Sequence, residues 1–151
     1  MTVINGQQLL RARPIIDMET SKKRLHGVSY GLAEAGYDIR VKQDLYFGGN
    51  KRFVLASTIE EFDMPPFLVA VVHDKSTWAR QGLSVLNTVI EPGWKGFLTM
   101  ELVYHGDTPL IIKAGSGIAQ VLFHETFSNA SYDGKYQNQE DRPVESIWEL
   151  E

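Results

Sequence analysis

Two segments of the chain carry side chains that could do chemistry. The first, Asp74-Lys75-Ser76-Thr77-Trp78-Ala79-Arg80, places two cations and two hydroxyls close together. Two readings of it stand open. It is a solvated turn with an ion pair, or it is an oxyanion site, with a lysine point charge, a planar arginine fork and added hydroxyl donors. The second segment is Thr99-Met100-Glu101-Leu102, where one carboxylate interrupts an apolar stretch. Glu101 either faces solvent from a strand, or it is buried. Burial costs several kcal/mol unless the carboxylate is paired or its pKa rises, and a carboxyl raised toward neutrality can shuttle protons.

Several chemistries are excluded. His26, His73, His105 and His124 show no metal-ligand spacing, and the chain has no cysteine. A zinc site of the form H-x-E…P-C-x-x-C therefore cannot form, nor can a disulfide framework. No G-x-S-x-G elbow and no G-x-x-x-x-G-K-[ST] loop occurs, so a hydrolase triad of that type and a phosphate cradle of that type lack support.

The elements that must position these groups read as β-structure. Phe67–Val72 is a continuous apolar run of the buried-strand type. Phe97–Tyr104, Leu110–Ile112 and Ile118–Phe123 are also β-rich. Gly48-Gly49, Pro65-Pro66, Pro92-Gly93, Gly106-Asp107 and Gly115-Ser116-Gly117 punctuate the runs. The expectation is an all-β sandwich or barrel. One short helix is expected near the N-terminus, from Asn5-Gly6 through Arg13, stopped by Pro14. From Ser128 to Arg142 the chain turns polar, which suits either a mobile tail or a flap that folds over a ligand.

The bulk properties narrow the setting. The length of 151 residues fits a single domain spanning 1–151. A formal net charge of −4 argues against a nucleic-acid polymer as partner. The N-terminus lacks the pattern of a secretory signal, and no run approaches the ~18 apolar residues of a membrane span. A soluble cytoplasmic protein is expected.

Five ordered segments resemble one family, the dCTP deaminases of the dCTP deaminase/dUTPase superfamily. Gly31–Val41 is similar to their YGL…GYD(I/V/L)R segment, and Asp74–Leu83 to (R/K)S(S/T)xARxGL. Glu91–Glu101 resembles (D/E)PGWxGxxTLE, Gly117–Phe123 resembles GIAQVLF, and Tyr132–Gln139 resembles the C-terminal Y…GKYQxQ. The resemblance implies a distorted β-barrel or β-clip of the dUTPase type, with a flexible C-terminal flap over 128–151. It further implies a homotrimer with active sites between subunits, acting on dCTP to give dUTP and ammonia without zinc. Mg2+ would arrive on the substrate triphosphate, no metal would be held by protein ligands, and dTTP would be a feedback inhibitor.

The resemblance also implies roles. Glu101 would relay protons, Ser76 would hold the attacking water and Arg80 would organise both. Lys75 and Thr77 would bind phosphates, with Trp78 and Ala79 in the same substrate-binding run. Glu91, Trp94, Thr99, Met100 and Gln120 would contact the nucleotide, as would Tyr132, Lys135 and Gln139 from the closing tail. Lys75 stands where many members have Arg, Glu91 where many have Asp, and the Leu83–Glu91 stretch is about two residues shorter than theirs. These features match a branch with KSTxAR…TPxEPGW. Val85-Leu86-Asn87 is similar to dUTPases, whose relation leaves a bifunctional deaminase/dUTPase, or a plain dUTPase, as the alternative. A trimeric nucleotide-binding protein without turnover is a further alternative.

Overall fold

A computed structural model describes residues 2–86 and 88–150. Asn87, in the segment similar to dUTPases, lies outside the described residues. The chain begins with strand β1 (Val3–Ile4) and helix α1 (Gly6–Ala12). The helix ends where Pro14 forbids its continuation, and Arg13 closes it in the left-handed conformation at φ 51°. Leu9 is its fully buried anchor.

The strands that follow are β2 (Lys22–Leu25), β3 (Val28–Leu32), β4 (Tyr37–Arg40), β5 (Leu45–Phe47), β6 (Phe53–Asp63) and β7 (Leu68–Asp74). A one-turn helix, α2 (Ser76–Ala79), leads to β8 (Leu83–Leu86), β9 (Val89–Ile90), β10 (Lys95–Tyr104), β11 (Leu110–Ile112) and β12 (Gly117–Glu125). The largest sheet has the order β2-β3-β4-β12-β7-β9, with β1 also paired to β12. A second sheet has the order β6-β10-β8, and β5 pairs with β11 in a third. The expected strands near 67, 97, 110 and 118 are all present, within a few residues at their ends.

The core lies between the sheets. Ile39, Val121 and Phe123 meet it from the largest sheet, Ala56, Phe62, Met100 and Leu102 from the second, and Phe47 and Ile112 from the third. Each fully buried large apolar side chain stabilises the fold by roughly 1.5–3 kcal/mol. One polar strut joins the two larger sheets. Arg40 Nε donates to Glu60 Oε1 at 2.8 Å, and the Arg40 backbone N–H donates to Glu60 Oε2 at 2.9 Å. Burial pushes the Glu60 carboxyl above its usual range, while Arg40 pulls it back.

The pairing of β10 with β6 is interrupted between Phe97 and Thr99. The Leu98 N–H there donates to Thr58 Oγ1 at 3.0 Å instead of to a ladder carbonyl. A regular pleat sends neighbouring residues to opposite faces. The interruption lets the neighbours Leu98 and Thr99 line the same cavity.

Candidate active site

Glu101 lies on β10, opposite Leu55 of β6 on one side and Leu86 of β8 on the other. Directly opposed residues share a face, so the carboxylate stands in an apolar row. Met100 and Leu102, its neighbours, point the other way into the core. The cavity above Glu101 measures about 580 Å³. Its walls include Glu91, Trp94, Thr99, Tyr132 and Gln139, together with Glu145 of the tail. Among the described residues, no lysine or arginine lines it. Burial therefore pushes the Glu101 carboxyl above its usual range, with only a hydrogen bond from its own backbone acting against this. A carboxyl raised above its usual range by burial takes up a proton more readily than a solvated one.

The turn before β10 builds the next wall. In Glu91-Pro92-Gly93-Trp94, the Trp94 N–H donates to Glu91 O at 3.1 Å. Proline at the second position and glycine at the third, with φ 75° at Gly93, define a type II turn. It buries the Trp94 ring against Phe62, with ring centres 6.1 Å apart.

The tail covers this face. Tyr132 N–H donates to Pro92 O at 2.8 Å, Asn138 N–H to Lys95 O at 2.8 Å, and Phe97 N–H to Gln139 O at 3.1 Å. Trp94 Nε1 donates to Tyr136 O at 2.6 Å. Thr99 Oγ1 donates to Gln139 Oε1 at 3.2 Å and accepts the Val144 N–H at 3.0 Å. The segment expected as a flexible flap is packed along the Pro92–Thr99 backbone of its own chain.

The Lys75–Arg80 segment lies elsewhere. Leu86 pairs with Glu101 but Leu83 with Tyr104, so α2, which precedes Leu83, sits beyond the far end of this pairing. Three strand residues alone span roughly 10 Å. Lys75 Nζ donates to Asp38 Oδ2 at 2.6 Å and to Ser29 Oγ at 2.9 Å. Its side chain is only 11 % exposed. Trp78 is buried, and its Nε1 donates to Gly117 O at 2.7 Å. Asp74 Oδ1 accepts the Val85 N–H at 2.7 Å. These four hydrogen bonds fasten the segment, while Ser76, Thr77, Ala79 and Arg80 remain exposed. Gln120 is in register with both Asp38 and His73, which places it at this corner too.

The candidate residues thus form two groups within one chain. Glu91, Trp94, Thr99, Glu101, Tyr132 and Gln139 share the cavity. Lys75, Ser76, Thr77, Trp78, Ala79, Arg80 and Gln120 lie at the α2 corner. Met100 is a core residue, 1 % exposed. Lys135 donates to Ile147 O at 2.5 Å and sits 5.4 Å from the Tyr136 ring centre. Sequence reasoning missed Tyr136 and Glu145 as lining residues of the cavity, although Tyr136 stands within the Tyr132–Gln139 motif. It also missed Asp38 and Ser29 as the partners of Lys75. Among the described residues, no group of three or more histidines and carboxylates is placed to hold a metal ion.

The sheet arrangement is that of the dUTPase fold. The native dUTPase of EIAV superposes with a TM-score of 0.57 at 21 % identity, over 82 % of this chain and 92 % of that one. A dUTPase variant from phage phi11 of S. aureus, described with a structural Mg(II) ion, gives 0.57 at 14 % identity, over 76 % and 88 %. These likenesses define the fold. The sequence defines the family: residues 49–126 match the dCTP deaminase-like family, and the chain belongs to it. The dCTP deaminase of Herpetosiphon aurantiacus is 38 % identical, over 74 % of this chain and 79 % of its own length. That of Campylobacter concisus is 38 % identical over 75 % and 78 %, and that of Chlamydia felis 34 % over 83 % and 82 %.

Proposed function

We propose that this protein hydrolyses dCTP to dUTP and ammonia, with Glu101 as the proton carrier. The observation behind this is a half-buried carboxylate, raised by burial and with no lysine or arginine beside it among the described residues, on the wall of a cavity roomy enough for a nucleoside. Family membership and relatives named dCTP deaminase supply the substrate. Glu101 takes a proton from water, and the resulting hydroxide attacks C4 of cytosine. The same carboxyl gives that proton to N3. It then carries the hydroxyl proton of the adduct to the exocyclic amine, which leaves as ammonia while the C4 carbonyl forms. One carboxyl raised above its usual range can serve as base and then acid.

The cavity suits the uncharged base and sugar better than a triphosphate, because its walls include Glu91, Glu101 and Glu145 and, among the described residues, no lysine or arginine. The triphosphate, arriving with Mg2+, therefore needs cations from elsewhere. Ser76, Thr77 and Arg80 are exposed on a firmly anchored turn. In a homotrimer this turn of one subunit would face the Glu101 cavity of the next. Ser76 and Arg80 would then hold the attacking water, the work that fixed donors perform by positioning. Lys75, bonded to Asp38, would act on the phosphates only through the turn that it steadies.

The test is to incubate the purified protein with dCTP and, separately, with dUTP in the presence of Mg2+, and to separate the products by chromatography. dUTP and ammonia from dCTP alone are expected. Release of dUMP and pyrophosphate would replace this reading with a bifunctional enzyme or a dUTPase. Glu91, on the cavity wall, is the first residue to vary in that case. No turnover of either nucleotide, with binding retained, would point to a nucleotide-binding protein. Adding dTTP to the same assay tests feedback inhibition.

A further inference from the structure

Gln137 uses its whole carboxamide on other parts of the chain. Nε2 donates to Gly93 O at 2.9 Å and to Tyr132 O at 2.8 Å. Oε1 accepts the Lys95 N–H at 2.7 Å and the Asn138 N–H at 3.2 Å. A glutamine amide has two N–H donors and an oxygen with two lone pairs, so all four positions are filled. Two of the partners, Gly93 and Lys95, flank Trp94 in the turn that forms the cavity wall. The other two lie in the tail.

The turn is shaped to receive the tail. A side chain at Gly93 would put its Cβ 2.6 Å from Ser131 Oγ, and one at Gly96 would come within 2.5 Å of the Gln139 nitrogen. Both glycines also have positive φ, 75° and 143°. The tail passes where only glycine leaves room, and Gln137 closes the contact between these two points. The residues on either side of it then enter the cavity: Tyr132 and Tyr136 before it, Gln139 after it. Gln139 in turn meets Thr99 Oγ1, and Thr99 shares its strand and cavity with Glu101.

From this geometry we infer that Gln137 is a positioning residue, a clip that fixes the tail onto the Gly93–Lys95 turn of its own chain and so sets the cavity wall that the nucleotide meets. It touches no reacting atom. Its effect on the reaction rests on the deaminase reading above, whereas its effect on the tail does not.

Gln137→Glu tests the clip with little change of shape. The carboxylate keeps the acceptors but points an oxygen at the carbonyls of Gly93 and Tyr132, which need donors. Gln137→Ala, made in parallel, removes all four bonds without adding charge. Three readouts are taken on the full-length chain: the rate of trypsin cleavage at Lys135, the 15N indole resonance of Trp94 assigned with Trp94→Phe, and the kinetics with Mg2+ and dCTP. Both Gln137 variants are expected to be cut at least about tenfold faster. The Trp94 resonance should shift as its bond to Tyr136 O loosens, and KM should rise roughly tenfold or more while kcat stays within about threefold. An unchanged cleavage rate and resonance in both variants would overturn the clip. A loosened tail with unchanged KM would overturn its role in positioning. If the wild-type protein does not deaminate dCTP, the proposed function falls, and cleavage and resonance still decide the clip.

Discussion

The Glu101 cavity and the α2 corner handle charge in opposite ways. At the α2 corner, Lys75 is largely covered and paired to Asp38 at 2.6 Å, with Ser29 completing the contact. In the cavity, Glu101 is half buried and, among the described residues, shares the walls with no lysine or arginine. A paired ion holds its charge and its place, and breaking a buried pair from one side is expensive. An unpaired carboxyl raised by burial can exchange its proton at little cost. The first arrangement suits an anchor and the second suits a reaction.

Glu101→Gln gives the widest separation between the two regions. Deamination should fall by about 10³-fold or more, while dCTP binding, followed by calorimetry, persists. Retained turnover would break the contrast at its centre. Next in size is Asp38→Ala, which leaves the Lys75 ammonium buried without its partner. A loss of roughly 3 kcal/mol or more in denaturant unfolding is expected, with part of it restored by adding Lys75→Met. If Asp38→Ala unfolds at the wild-type midpoint, Lys75 is not an anchor.

Truncation before Tyr132 should raise KM for dCTP by about tenfold or more and leave the oligomeric state, measured by sedimentation, unchanged. Normal turnover by the truncated protein would remove the tail from the site. The smallest effect is on stability against pH. Folding raises the Glu101 pKa, so the ionised form costs stability in the folded state. That stability is fully present below the unfolded pKa and is lost as pH rises through the folded one. Glu101→Gln has no such loss, so its melting temperature relative to wild type should be higher at about pH 8 than at about pH 4. A difference independent of pH would mean that burial does not act on this carboxyl.

The sequence made the strands of the core legible where apolar runs are long, as at Leu68–Asp74 and Gly117–Glu125. It did not show β2. Lys22–Leu25 is exposed at all four residues and has no alternation to reveal a sheet edge. Helix α2 has one turn, too short for a 3.6-residue period. The two candidate sites remained ambiguous for a related reason. Whether Glu101 is covered depends on residues 132–146, and whether Lys75 is free depends on Asp38, 37 positions upstream. Local spacing carries no information about either. The ordered motifs named the residues, but only the fold shows that they divide into two groups in one chain.

Because the tail crosses Gly93 and Gly96 of its own chain, Glu101 and its cover are inherited together on one polypeptide. That has a genetic consequence. Two defective alleles, one with Glu101→Gln and one lacking the tail, should fail to rescue each other when co-expressed, since no single chain would carry both parts. If the homotrimer proposed above brings the α2 turn of one chain to the Glu101 cavity of the next, an Arg80→Ala allele paired with Glu101→Gln should regain activity when co-expressed. The pattern of complementation would thus map which parts of the site travel together and which are shared.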